Sequence, residues 1–467
     1  MECCQFSSGS SRQIAACIVA SLPVFMTGIV LGWPSPVIEY MSAGQAPVSL
    51  TSVQISWMVA CIDIGNFAMA LPAGWLMDQI GRKNTVIASA PLMFAGWMFI
   101  LLGRHAWCLF VARLLQGAAV GIAWVVAPAY VGEMANIVIR GKLSLLVQLS
   151  YALGLLFSYF AGWLLGDYVT LAITSASVSI ISGVLFLFLP ESPYYLMLDG
   201  RPDDAAICLW SLRSYTDDDL QTELLTVKDS ILNNRQKWNV DDLLNRDHRP
   251  LVIVLVLAVL QMACGAGVLE AYAASIISNV QISANASAVY LGIVILVAAV
   301  PFALVVDRSG RRPLMILSCF GTAACHATVA IVLWCQDVVG HRWLLLFWSI
   351  AGAQFFINIG IMPLLSVIQC EYFPSDTRAL ADTAVVMAVT ITSTVMITTY
   401  QPVADALGVS TNFVIYSIAS LAGGLFCCLF MPETKRKSFA EIQTDFRKAE
   451  ERLTDNEVQK LRDYQEI

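Results

Sequence analysis

Twelve apolar stretches, each long enough to cross a bilayer, constrain this chain more than any other feature. About 20 apolar residues in a helix span the hydrocarbon core. Only 13% of the 467 residues are charged, against roughly 25% in soluble domains. The sequence therefore predicts an all-α integral membrane protein with helices at 13–32, 53–75, 85–103, 108–130, 143–165, 170–189, 251–275, 286–306, 313–335, 343–368, 380–401 and 411–431.

The placement of lysine and arginine predicts the orientation. With both termini in the cytoplasm, all 27 of these residues except Arg104, Arg113 and Arg342 lie on cytoplasmic segments. Cytoplasmic loops of membrane proteins carry such an excess of positive charge, so we expect cytoplasmic N- and C-termini. The N-glycosylation sequon at Asn285 then falls in an outer loop and is a candidate acceptor.

The apolar stretches form two groups of six, separated by a polar segment. This pattern predicts an N-terminal six-helix half at 1–190 and a C-terminal six-helix half at 251–431. Residues 191–250 are expected to be a cytoplasmic linker with short amphipathic helices on the membrane surface. Residues 432–467 are expected to form a charged cytoplasmic tail.

Three signatures occur once in each group, in the same order and at the same predicted cytoplasmic helix ends. They are Asp78-x-x-Gly81-Arg82-Lys83 and Asp307-x-x-Gly310-Arg311-Arg312, Glu133 with Arg140 and Glu371 with Arg378, and Pro190-Glu191-Ser192 and Pro432-Glu433-Thr434. Such duplication is typical of transporters whose halves move about a central site. We therefore expect the two halves to be pseudo-symmetric.

The charges of these signatures predict an inner gate. Arginine and carboxylate groups form charge-assisted pairs, and pairs present only when the cytoplasmic side is shut would bias the resting state. The alternative is that the charges only anchor helix ends at the lipid headgroups. The expected gate residues are Asp78, Arg82, Glu133, Arg140, Glu191, Asp307, Arg311, Glu371, Arg378 and Glu433.

Together these motifs resemble the sugar porters of the major facilitator superfamily, and among them the insect facilitated trehalose transporters. The resemblance extends over nearly the whole chain and is also carried by Gly74-x-x-x-Asp78, Arg113-x-x-x-Gly117, Pro128-x-Tyr130-x-x-Glu133 and Glu371-Tyr372-Phe373-Pro374. It implies the major facilitator fold and facilitated transport of a sugar or sugar-like solute by alternating access. Tyr194 and Arg436 depart from the family's Arg and Gly.

The substrate site departs further from the family. The family's seventh helix reads Q-Q-x-S-G-x-N, and here Gln261 keeps the first Gln while Met262 and Gly267 replace the second Gln and the Asn. A buried hydroxyl without a partner costs roughly 1–3 kcal/mol, so an ordinary hexose site is not expected. Either the solute is less polar or a rearranged set binds it, and the resemblance and composition give that set as Gln148, Gln261, Asn358, Thr390, Ser366 and Tyr272. Loss of transport is the third alternative.

Three charged residues fall inside predicted spans: Asp63, Arg113 and Glu270. A charge facing lipid is costly, so each is expected to face the cavity or a partner, and Asp63 and Arg113 lie at depths where they could pair. The functional interpretation is cation or proton linkage or a charged substrate; the structural one is an ion pair and a carboxylate near the outer mouth. Proton-coupled members of the family carry an acid in the middle of the first helix, whereas residues 27–31 have none, which favours passive transport.

The sequence indicates no enzyme, no cofactor and no metal site, because it has no P-loop, nucleophile elbow or metal-ligand spacing. No basic patch with interleaved aromatic residues suggests nucleic acid. The expected partners are a small-molecule substrate and the lipid bilayer, and protein partners are unknown. We expect a multi-pass protein of the plasma membrane that transports a sugar-like solute. The rival hypotheses are a non-transporting solute sensor and a transporter of a non-sugar organic solute.

Overall fold

A computed structural model describes residues 8–435 except 43, 214–219, 226, 229–239, 278–283, 336–341 and 375–376, together with 437, 441–442, 444 and 446. The regular structure of these residues is helical. The spanning segments are numbered in chain order and run over Ser8–Ala20, Leu22–Gly32 and Pro34–Ser42 (α1), Ser52–Ile80 (α2), Arg82–Leu102 (α3), Ala106–Met134 (α4), Ile137–Leu165 (α5), Tyr168–Leu187 (α6), His248–Ala263, Ala266–Ala271 and Ala273–Ile277 (α7), Ala284–Ser309 (α8), Arg311–Trp334 (α9), Arg342–Phe356, Ile357–Ile361 and Met362–Tyr372 (α10), Arg378–Leu407 (α11) and Val409–Phe430 (α12).

The described helices agree with the predicted membrane spans. Eleven are long and apolar enough to cross a membrane, and α8 supplies a shorter apolar stretch at Asn285–Ala299. Large apolar side chains such as Ile181, Trp348 and Ile418 are exposed on the bundle surface, as contact with lipid requires. The all-α fold with twelve spans is confirmed. Asn285 lies in the first turn of α8, so the prediction that it occupies an outer loop is wrong.

Short helices lie before and after residues 229–239 of the polar linker. They run over Pro193–Leu198, Pro202–Arg213 and Val240–Asn245, while residues 229–239 lie outside the described chain. Residues 447–467 of the predicted tail are also outside it. The described part of the linker thus contains short helices, and the bounds and cytoplasmic position of the linker stay predictions.

Helix packing repeats between the two groups of six. In the first group α1 packs on α5, α2 on α4, and α3 on both α4 and α6. In the second group α7 packs on α11, α8 on α10, and α9 on both α10 and α12. The two groups meet where α2 packs on α11 and α5 on α8, two contacts related by the same six-helix shift. The chain thus has two pseudo-symmetric halves, and the surface where they meet is called the seam below.

Glycines bring backbones close together within the N-terminal half. An added Cβ at Gly28 would lie 2.2 Å from the carbonyl oxygen of Tyr151, and one at Gly117 would lie 2.1 Å from that of Ile62. Small residues at helix crossings permit this approach in membranes, where dispersion contacts replace the hydrophobic effect as the driving force. The α1–α5 and α2–α4 pairs therefore depend on glycine.

We predict that Gly117→Ala destabilises the protein, because its methyl group would overlap the Ile62 backbone on α2. Gly132→Ala on the same helix is the control, since nothing lies within 4 Å of an added Cβ there and alanine has the higher helix propensity by about 1 kcal/mol. The thermal transition of detergent-solubilised protein should fall for Gly117→Ala only. Equal transitions for the two variants would contradict the packing argument.

Candidate transport site

A buried ion pair joins three helix ends in the N-terminal half. Arg82 donates from Nε and Nη2 to Glu133 at 3.0–3.1 Å, and its Nη1 lies 3.3 Å from Asp78. The Arg82 side chain is only 3% exposed. The Ser192 hydroxyl donates to the same Glu133 carboxylate. The cluster therefore connects the α2–α3 turn, the end of α4 and the segment after α6, at what we call the inner end of the bundle.

Glu191 binds the N-terminus of α3. Its carboxylate accepts from the backbone N–H of Lys83 at 3.0 Å and of Ser192 at 2.8 Å. The first amides of a helix lack intrahelical partners and favour an anion. Gly81 has φ +95°, and an added Cβ would lie 2.3 Å from the Glu191 carboxylate. Only glycine meets both requirements, which explains the glycine of the signature.

The C-terminal half repeats this arrangement. Arg311 lies 2.9–3.0 Å from Glu371 through Nη2 and Nε, and the Thr434 hydroxyl donates to Glu371. Glu433 accepts from the backbone N–H of Arg311 and Arg312 at 3.0 and 3.1 Å. Gly310, at φ +93°, approaches the Glu433 carboxylate as Gly81 approaches Glu191. Both partners of each described pair belong to one half, so separating the halves does not by itself break them.

The remaining predicted gate residues differ from this pattern. Arg378 donates to the carbonyl oxygens of Cys370 and Phe373 at 3.0 Å, where a cation satisfies the unpaired carbonyls of the α10 C-terminus. The side chains of Arg140 and Asp307 lie outside the described structure. The guanidinium of Arg82 also lies 5.5 Å from the ring of Tyr194, the residue that replaces the family's Arg.

Arg113 supplies a hydrogen bond that α1 cannot make. The carbonyl of Val30 would normally accept from residue 34, but Pro34 has no N–H. Arg113 Nη1 donates to that carbonyl at 2.8 Å and to Gln116 Oε1 at 3.1 Å, and its guanidinium lies 5.5 Å from the Trp33 ring. Arg113 therefore stabilises the interruption in α1 and does not form the ion pair with Asp63 that the sequence suggested.

Asp63 and Glu270 instead lie next to side chains of the opposite half. Asp63 of α2 lies next to Ser393 of α11. Glu270 of α7 accepts from the Tyr151 hydroxyl at 2.6 Å, and its backbone carbonyl accepts from the Tyr159 hydroxyl at 2.6 Å. Both tyrosines belong to α5. The two carboxylates therefore contact opposite halves from buried positions.

The interrupted helix α7 closes the outer part of the seam. Its α-helix ends at Ala263, and Gly265 at φ +84° starts the next short helix. Beyond the interruption the Tyr272 hydroxyl lies 3.4 Å from Ser56 Oγ, and the Ala274 N–H donates to Ser35 at 3.0 Å. The Tyr272 ring lies 4.6 Å from that of Tyr400. Tyr272 thus contributes to closure of the outer side.

The other proposed cavity residues donate hydrogen bonds to backbone carbonyls. Gln261 is buried and donates to the Met362 carbonyl at 3.0 Å. Asn358 lies in the π-helical turn Ile357–Ile361 and donates to the Gln354 carbonyl at 2.9 Å; such turns occur frequently at functional sites. Thr390 donates to the carbonyl of Val386 on its own helix.

Ser366 and Gln148 are the least enclosed members of this set. Ser366 is exposed and donates to Pro363 within its own helix, and Gln148 is half-buried. The described contacts bring Gln261 next to α10, where Asn358 also lies. They do not bring Ser366 into contact with Tyr272.

Comparison with known proteins identifies the family. The family described as "Sugar (and other) transporter" matches residues 14–446. The chain belongs to this family. An Arabidopsis thaliana relative, "Sugar transporter ERD6-like 2", is 26% identical over 449 residues, 95% of each chain. The Bos taurus "Solute carrier family 2, facilitated glucose transporter member 8" is 27% identical over 93% of this chain and 94% of that one.

A trehalose transporter and a solved bacterial structure support the same assignment. "Facilitated trehalose transporter Tret1" of Bombyx mori is 25% identical over 92% of this chain and 86% of its own. The inward-open E. coli xylose transporter XylE superposes with a TM-score of 0.79 at 21% identity, covering 92% of this chain and 99% of that one. The resemblance to major facilitator sugar porters is confirmed. The relatives of this family member are transporters, and the chain is not an enzyme.

Gly267 on α7 packs against α11. Gly267 stands where sugar porters have Asn, and an added Cβ there would lie 3.5 Å from Ser393 Oγ. Ser393 also lies next to Asp63 of α2. Ile397 of the same helix α11 lies 3.8 Å from that added Cβ, so α11 packs next to Gly267.

Sequence reasoning missed several polar residues of the site. Gln354 is 1% exposed, and neither polar atom of its amide has a hydrogen-bond partner. His326 is fully buried with Nε2 3.0 Å from the carbonyl oxygen of Cys264, at the interruption of α7. A polar residue inside an apolar stretch predicts a buried polar site, and the sequence offers this signal for both Gln354 and His326. Tyr151, Tyr159 and Ser393 gave no such signal, because their roles depend on contact between the halves.

We predict that the Arg82–Glu133 pair contributes strongly to the stability of the N-terminal half. In a double-mutant cycle of Arg82→Gln and Glu133→Gln, the thermal transitions should be non-additive, because removing one partner leaves the other buried charge uncompensated. The exposed Arg201–Asp204 pair, at 2.7 Å, is the control and should couple by only about 0–1 kcal/mol. Equal coupling in both cycles would contradict a structural role for the buried pair.

Proposed function

We propose that this protein carries a small hydroxylated solute of the sugar class across a membrane by facilitated diffusion and alternating access. The observation that carries the proposal is α7. It is interrupted beside buried polar groups, and its two sides contact α10 and the opposite half of the protein. Discontinuous helices with freed backbone groups form the solute sites of secondary transporters.

Two rigid halves and a hydrogen-bonded seam support the alternating-access part of the proposal. Each inner cluster connects helices of one half, whereas the hydrogen bonds from Tyr151 and Tyr159 to Glu270 connect the halves. Moving the halves apart at the outer side would break the seam bonds and leave the clusters intact. The segments 1–190 and 251–431 would then be the moving units, joined by 191–250, with 432–467 as a tail. The inner end would face the cytoplasm.

The middle segment of α1 supports passive transport. The helix Leu22–Gly32 carries no carboxylate, and its buried Thr27 hydroxyl donates to the Pro23 carbonyl of the same helix. No acidic group is therefore available there for a proton. We expect the plasma membrane to be the site of this transport, which imaging of a tagged full-length chain would test.

The proposal predicts saturable counterflow of a labelled neutral sugar or polyol in proteoliposomes that contain the purified chain. The panel is glucose, trehalose, xylose and sorbitol, and glucose should have low affinity because Met262 and Gly267 replace two hydroxyl-binding amides. A protonophore should leave the initial rates unchanged, because no proton is coupled to the solute.

A matched pair of glutamine variants distinguishes site effects from general damage. Gln261→Leu should raise the half-saturation concentration about tenfold, as expected from loss of one or two hydrogen bonds. Gln401→Leu should not, because Gln401 binds Asp405 near the outer end of α11. Absence of counterflow for every solute above empty liposomes would contradict transport and favour the solute-sensor hypothesis.

A further inference from the structure

Gln354 of α10 is a buried amide whose hydrogen bonds are not made within the protein. Its side chain is 1% exposed, and neither Nε2 nor Oε1 has a hydrogen-bond partner among the described residues. Gln116 and Asn285 each lack a partner for one amide atom, whereas Gln354 lacks partners for both. Burying an amide without hydrogen bonds is costly, and each such group calls for an explanation.

The register of α10 directs this side chain away from α9. An added Cβ at Gly352 would lie 3.1 Å from Cys325 Sγ on α9. The Phe356 ring likewise lies against α9, where an added Cβ at Gly321 would approach it to 2.6 Å. Gln354 lies two residues from Gly352 and two from Phe356, which in an α-helix is roughly 160° around the axis from each. It therefore occupies the opposite face of α10.

That face of α10 is directed into the bundle. Helix α9 lies at the bundle surface, where large apolar side chains such as Leu317 are exposed, so the side of α10 away from it faces inward. Asn358 follows Gln354 by one turn on the same face and donates to the Gln354 carbonyl at 2.9 Å. Gln261 of α7 meets α10 one turn further along, at the Met362 carbonyl. The unsatisfied amide thus belongs to the part of α10 that lies toward the candidate site.

The chemistry of an amide selects its ligand. A carboxamide offers a donor and an acceptor side by side, and two hydroxyl groups on adjacent carbons offer the complementary acceptor and donor. An ammonium group has no acceptor and a carboxylate has no donor, so either charged group would leave one atom of the amide unpaired. Met262 and Gly267 supply no amide on α7. A neutral solute with adjacent hydroxyls therefore fits Gln354 best.

We propose that Gln354 is a solute-binding residue whose amide binds two adjacent hydroxyl groups of a neutral sugar or polyol. This inference rests on the proposed transport function and specifies a binding residue and the class of solute that it takes. The cost of burying the amide in the protein without solute is offset when the hydroxyl groups complete its hydrogen bonds. Hydrogen-bonding capacity that α7 lacks at Met262 and Gly267 is thus supplied from α10.

The test uses purified full-length protein in detergent with glucose, trehalose, xylose and sorbitol, whose apparent affinities are measured from stabilisation against heat. Gln354→Met replaces the amide with an unbranched apolar side chain of similar size. It should weaken binding of the solute that the unmodified protein binds best about tenfold, as expected from loss of two hydrogen bonds. Without solute, its thermal transition should equal or exceed that of the unmodified protein, because an unsatisfied buried amide has been removed.

A satisfied amide provides the matched control. Asn412 is also buried, but it donates to the Tyr400 carbonyl at 3.1 Å. Asn412→Leu should therefore lower the thermal transition and retain the affinity for the same solute. Unchanged affinity of Gln354→Met would overturn the inference, and so would a loss of affinity that occurs only together with a lowered thermal transition.

Two small tetrols test the pattern of hydroxyl groups. Erythritol carries its four hydroxyls on adjacent carbons, whereas no two hydroxyl-bearing carbons of pentaerythritol are adjacent. Erythritol should compete better than pentaerythritol for the unmodified protein, and Gln354→Met should remove this difference. Equal competition by the two tetrols for the unmodified protein would contradict the binding of adjacent hydroxyls.

Counterflow separates this inference from the proposed function. Solute binding that Gln354→Met weakens, without counterflow of any solute, would refute transport and support Gln354 as a binding residue. Counterflow with the same half-saturation concentration in Gln354→Met and in the unmodified protein would support transport and refute the role of Gln354.

Discussion

The hydrocarbon core offers no water to hydrogen-bond the backbone, and the structure of this protein depends on that constraint. A helix that is interrupted inside the membrane must find donors and acceptors elsewhere in the protein. Arg113 donates to the Val30 carbonyl that Pro34 leaves free, and His326 lies 3.0 Å from the Cys264 carbonyl at the interruption of α7. The first helix of each half is therefore interrupted at a site that a buried basic side chain from another helix satisfies.

Backbone groups at helix ends also need hydrogen-bond partners, and the side chains that supply them connect the helices of each half. Glu191 and Glu433 accept from the first amides of α3 and α9, and the adjoining glycines at φ +95° and +93° allow the carboxylates to approach. Each cluster satisfies a helix terminus and fastens neighbouring helices together. The seam differs, because its bonds connect single side chains across the halves and can be exchanged for bonds to a solute. Rigid halves with an exchangeable seam are what alternating access requires.

Much of this arrangement could be predicted from the sequence, for reasons that are local. Apolar length gives the spans, and the repeated signatures place Arg82, Glu133, Arg311 and Glu371 at the inner end without giving which arginine binds which glutamate. Partners that depend on contact between the halves could not be predicted: Asp63 lies next to Ser393 and forms no ion pair with Arg113, and Glu270 accepts from Tyr151. The same limit applies to the inner gate, since periodicity places charges at one membrane face without showing whether partners belong to the same half.

The central claim is that two rigid halves move about the seam, and distances between paired spin labels test it most directly. In a cysteine-depleted background, labels at Arg104 and Leu407 report the outer separation of the halves, and labels at Arg104 and Val169 report a distance within one half. All three positions are exposed. A transported solute should shift the distance between halves and leave the distance within one half narrow and unchanged. A shift of the distance within the half, or no response between the halves, would contradict the account.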